Sequence, residues 1–118
     1  MGKLIDFNLV KKFCWELFYI TVIQQVNFTL NDDYINYDYI EVVWRPHPTL
    51  GQCSDTMIPS KDSKLHLERT QSINGVTTVY RCQMTFSGRN VTLTGRTQVI
   101  NGASVDAVEE HILRVIGY

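Results

Sequence analysis

The residues able to do chemistry are few and far apart. Histidines stand at 47, 66 and 111 and cysteines at 14, 53 and 82, with no CxxC pair and no HExxH pattern among them. A zinc site needs three or four such ligands at close, regular spacing, so no metal site is expected. Asp32-Asp33 and Asp38 carry the charge of a cation loop, but no glycine follows at the offset such a loop requires. They are expected to form a turn. Glu109 and Glu110 are adjacent, and neighbours on a helix do not face one another, which rules them out as a working carboxylate pair. Neither a GxSxG elbow nor a phosphate-cradling glycine loop occurs. The expectation is a chain that is not an enzyme, with no cofactor and no small-molecule substrate.

The totals narrow the class further. With 118 residues, 44% of them hydrophobic, the chain suits one domain with a real core, residues 1–118. A net charge of -1 supplies no global basic field for nucleic acid or anionic membrane. An odd cysteine count without a secretory signal points to reduced thiols in an intracellular, reducing compartment, each packed as a small apolar group. The two sequons, Asn27-Phe28-Thr29 and Asn90-Val91-Thr92, are then chance. Met1-Gly2 meets Asp6 where a myristoylation signal wants Ser or Thr. The apolar run Phe13 to Ile23 is shorter than the roughly 20 residues a membrane-spanning helix needs. No membrane partner is expected.

The elements that would position these residues follow from periodicity. Leu4, Phe7, Val10 and Cys14 recur at three- and four-residue steps, with Leu9, Phe13 and Leu17 as a second line, so residues 4–16 are expected to be a helix. Residues 18–30 alternate as a long strand, with helix the competing reading, and a bulge near Ile23-Gln24. Asn31-Asp32-Asp33 turns the chain. A strand is expected over 35–45 and a proline-rich loop over 46–63. Three strands then follow, marked by Leu65 and Leu67, by Val76 to Phe86, and by Val91 to Val99. Asn74-Gly75 is a hairpin signal. Asn101 or Ser104 is expected to cap a final helix bearing Val105, Val108, Ile112 and Val115. The fold class expected is therefore α+β: an N-terminal helix, an antiparallel sheet of four to five strands, and a C-terminal helix packed on one sheet face. "RTQSING" at 69–75 and "RTQVING" at 96–102 are expected to be two strand ends closed by similar turns.

One sheet face carries the functional expectation. Thr77, Val79, Arg81, Gln83 and Thr85 would share it with Thr92, Thr94, Arg96 and Gln98, and with His66, Glu68 and Thr70 beyond. A solvated face has this composition, and so does a docking surface. The expected contact set is Lys64, Arg81, Gln83, Arg96 and Gln98, with Arg69 and Arg89 at its edges. The partner would be another protein, a second copy of the chain, or RNA through its phosphates. Phe13, Trp15 and Leu17 lie on further sides of the N-terminal helix. They would need a cover, most simply the second subunit of a homodimer, or else the loop 46–63 folded over the helix within one chain.

Two resemblances bear on the same face. Residues 65–116, with "YRCQMTFSGRNVTLTGRT" as second and third strands, resemble the strand-strand-strand-helix half of a double-stranded RNA-binding domain. The family's lysine cluster is replaced by "NGASVDAVEE". The resemblance implies an antiparallel meander and RNA or protein binding. The hairpin "QSINGVTTVYR" also resembles those of small RNA-phage coat proteins, which implies a viral structural subunit. The expectation that joins these is a non-enzymatic binding or assembly module.

Overall fold

The structure is a computed structural model, and it describes residues 15–19, 27–106 and 110–118. Nine strands make up most of the described residues: β1 (Trp15–Tyr19), β2 (Asn27–Thr29), β3 (Ile40–Arg45), β4 (Cys53–Met57), β5 (Lys64–Ile73), β6 (Val76–Ser87), β7 (Asn90–Ile100), β8 (Ala103–Asp106) and β9 (His111–Gly117). A 3-10 turn covers Tyr34–Asn36, and no α-helix occurs among the described residues. The α+β expectation is thus overturned: two antiparallel sheets replace one sheet with flanking helices. Sheet A runs β1-β9-β3-β4 and sheet B runs β2-β7-β6-β5, with β8 also on β7.

The described parts of the expected C-terminal helix are strands β8 and β9, and Val108 lies outside the described residues. The apparent helical spacing has a local cause. In the β3–β9 register Val43 faces Arg114 and Trp44 faces Ile112, so Leu113 is an extra, bulged residue. The bulge puts Ile112 and Val115 on one face although they are three residues apart, and both are buried. Bulged strands and helices therefore share this spacing. At the other end, residues 4–14 and 20–26 lie outside the described residues, so the helix expected over 4–16 and the strand expected over 18–30 are described only in part. Trp15 and Glu16, the end of that helix, belong to strand β1, which pairs with β9. The expected strand over 35–45 begins only at Ile40, and the expected loop over 46–63 contains β4.

The three-strand meander is where it was expected. Asn74-Gly75 and Asn101-Gly102 both close hairpins, with φ of 52° and 78° in the first and 47° and 84° in the second. Positive φ at both central residues is the turn that suits twisted antiparallel strands, and Asn-Gly adopts it at low cost. The matching heptapeptides are indeed two strand ends with like turns. Asn101 caps no helix.

The core lies between the sheets. Trp44, Tyr34, Phe86, Leu17, Leu30, Ile40, Leu67 and Met84 are among its fully buried side chains, each contributing about 1.5–3 kcal/mol of hydrophobic burial. Several polar groups inside are paired. The Trp44 Nε1–H donates to Asp55 Oδ2 at 2.8 Å. The Tyr34 hydroxyl donates to the Ser60 carbonyl and accepts from the Ser63 N–H. At the end nearest the β6–β7 turn, Arg89 Nε donates to the Leu30 carbonyl at 2.9 Å while Leu30 N–H donates back to the Arg89 carbonyl at 2.7 Å.

Candidate functional site

Sheet B runs beyond the core at its other end. In β6, Tyr80, Cys82, Met84 and Phe86 point into the sandwich and are buried. By the two-residue period, Val76 and Thr78 share that inner face. Register then fixes the neighbours: Ile73 faces Val76, Ile100 faces Thr78, and Val105 faces Gln98. All lie on the inner side, yet Ile73 is 55% exposed, Val105 46%, Val76 42% and Ile100 38%. Four aliphatic side chains thus occupy the core-facing side of a ribbon formed by the ends of β5, β6, β7 and β8, and they meet water. The molecule measures 51 Å along its longest axis against 25 and 23 Å.

The ribbon is ordered by its own hydrogen bonds. The Asn101 side chain accepts from the Thr77 N–H at 3.0 Å, and the Asn101 N–H donates to the Thr77 carbonyl at 2.8 Å. These bonds join the two hairpin tips. Ser72 and Thr77 hydroxyls meet at 3.0 Å, and the Tyr80 hydroxyl donates to Gln71 Oε1 at 3.4 Å.

Charged ties between the sheets mark the ribbon's base. Arg69 reaches from β5 to Asp55 on β4 at 3.1 Å and lies over the Trp44 ring, 5.5 Å from its centre. Arg96 on β7 pairs through Nε with Glu110, which directly precedes β9; both side chains are over nine-tenths buried, and Arg96 Nη2 has no partner. Burial pushes the Glu110 carboxyl above its ordinary range, although the Arg96 hydrogen bond opposes this. Between the ties, the His47 ring sits 6.2 Å from that of Tyr80. Burial, with the Glu110 charge adding to it, pushes the nearby Cys82 thiol up to about 12.

The expected contact set does not form one surface. Lys64, Arg81 and Gln83 lie on the outer face of sheet B, where Lys64 faces Thr85, and Gln83 faces both His66 and Thr94. Arg81 is half exposed there and paired with Glu68 at 3.1 Å. Arg69, Arg96 and Gln98 are on the inner side. The switch occurs at Gly95, φ 59°, where β7 gains one residue against β6 between Arg81 and Gln83. Thr92 and Thr94 therefore point out while Arg96 and Gln98 point in. Arg89 clamps a turn at the far end. Of the expected self-association residues, Phe13 lies outside the described residues, Trp15 is described only as part of β1, and Leu17 is 1% exposed in the core and cannot serve a second subunit. Periodicity pointed to the inner side of the ribbon but not to its exposure, which depends on where sheet A stops.

The pair closest to a catalytic arrangement is His47 Nδ1 with the Thr49 hydroxyl at 2.8 Å. The same nitrogen accepts the Thr49 N–H at 3.2 Å, so the contact belongs to a local turn. Among the described residues no group of three or more His, Cys, Asp or Glu could hold a metal ion. Cys53 and Cys82 are free thiols. No described helix is long and apolar enough to cross a membrane. No protein-family model matches the chain, and no curated protein matches it significantly.

Proposed function

We propose that the chain is a non-enzymatic protein-association module and that the inner face of the ribbon is its contact surface. One observation carries this reading: Ile73, Val76, Ile100 and Val105 stand exposed together on the core-facing side of ordered strands. Single exposed aliphatics are ordinary, whereas several on one face mark an interaction site. The charged ties at the base would form a polar rim beside an apolar centre, the usual anatomy of a protein interface. The reading takes the chain as intracellular, with its cysteines reduced.

RNA binding through the outer face draws less support. That face has lost Arg69, Arg96 and Gln98, and its Arg81 is engaged by Glu68. A photo-crosslinking residue at Val105, compared with one at Thr92 on the outer face, tests the reading in an extract of the source cells. Protein adducts are expected at 105 and not at 92. Adducts at neither position, or RNA adducts at 92 alone, would sink it.

A further inference from the structure

We infer that the free edge of β5 pairs with β5 of a second copy, giving an antiparallel dimer with one continuous sheet. This goes beyond the reading of the ribbon's inner face: it concerns the strand edge, and its one occupant is a second copy of the chain. β5 matches β6 residue for residue from Lys64 to Ile73 without a bulge, and its other edge pairs with no strand among the described residues. Natural edge strands block such pairing with proline, lysine, bulges or inward charges. From Thr70 to Ile73 the edge reads Thr-Gln-Ser-Ile and has none of these. Arg69 is an inward charge within the stretch that would pair, but Asp55 on β4 and the Ser54 carbonyl already engage it, so it faces a partner strand as a paired group.

Charge selects the register. A twofold axis normal to the sheet sets each residue against one on the same face. An axis at Glu68 or Arg69 would place like charges directly opposite, which destabilises a sheet pair. An axis at Gln71 would set Arg69 against Ile73. An axis at Thr70 sets Thr70 against Thr70, Arg69 against Gln71, Glu68 against Ser72 and Leu67 against Ile73. This register has no like-charge pair and one favourable threonine pair. It also brings Ile73, with Val76 behind it, beside Leu67 of the other copy, where the core already ends. The open edge of β5 is covered, and Ile73 gains an apolar neighbour at its side. Ile100 and Val105 lie on more distant strands and stay available.

Strand pairing over seven residues is a small interface, so dissociation on the order of micromolar is expected. Light scattering after size exclusion, over a concentration series through that range, should show mass rising from monomer to dimer. Thr70→Lys sets two ammonium groups together at the axis and should give a folded monomer, with its folding checked by circular dichroism. Thr70→Cys should cross-link to a covalent dimer under mild oxidation, and Glu68→Cys should not. A single monomer mass at all concentrations overturns the proposal, as does a Thr70→Lys variant that still dimerises. Val105→Lys leaves self-pairing intact and weakens only capture of another protein. A monomeric chain that still forms adducts at 105 therefore removes the dimer alone, whereas a dimer without adducts removes the wider reading.

Discussion

Glu110 and Arg96 are the residues at which packing and charge compete most directly. Taking a carboxylate out of water costs several kcal/mol, and one guanidinium repays this only in part. The raised Glu110 carboxyl shows that burial wins. The folded state then holds a proton on Glu110 more readily than the unfolded chain does. Its contribution is most favourable below the unfolded carboxyl's range, about 4.3, and is lost as pH rises through the folded value. Glu110→Gln lacks this titration, so it should gain stability relative to the natural chain between acid and neutral pH. Arg96→Met removes the compensating charge and should cost about 3 kcal/mol at neutral pH, less in acid, where Glu110 takes up a proton. Urea unfolding of all three proteins at two pH values measures both trends. A wild-type-to-Gln difference that does not change with pH would contradict them.

Between strands, tolerance is set by close approach. Gly117 on β9 sits under the Tyr37 ring: a Cβ there would lie 2.5 Å from the ring's Cγ. The ring cannot swing freely because its hydroxyl donates to Asp32 Oδ2 at 2.8 Å. Gly117→Ala should therefore cost about 1–3 kcal/mol, the usual range for overpacking. Adding Tyr37→Ala should recover part of that loss, a coupling that thermal or denaturant melts of the single and double variants would measure. Equal, additive losses would show that the ring is not the obstacle. Elements also show what a single sequence can reveal. The β5–β6–β7 meander was legible because Asn-Gly turns and strict alternation act locally. β9 was not, because Leu113 shifts the alternation by one and turns two buried positions into a helical spacing. The contact surface failed for the same reason at Gly95. The exposure of Ile73 and Val105 was not legible at all, since it reflects the length of sheet A, to which neither residue belongs.

Across the whole molecule, the sandwich and the ribbon differ in what holds them. Strands β6 and β7 share both regions, so opening need not be uniform along one strand. Amides of Met84 and Phe86, whose side chains are buried, should exchange hydrogen only through global unfolding. Amides of Thr78 to Tyr80 should exchange at a lower free energy, through opening of the ribbon alone. Native-state hydrogen exchange in low denaturant separates the two, and a single common opening energy along β6 would show that the ribbon and core melt as one.

The extra residue at Gly95 also sets a rule of parity for the strand that contains it. Up to that point odd-numbered positions look inward, as Val91 and Leu93 do; beyond it even-numbered ones do, as Arg96 and Ile100 do. Removing one residue there would exchange the two sides of everything downstream to the Asn101-Gly102 turn. Thr97 and Val99 would face inward, and the arginine that meets Glu110 would face water. A one-codon deletion in a strand usually damages a local fit. Here it would turn half of the proposed binding side outward, so length at this position carries as much information as residue type.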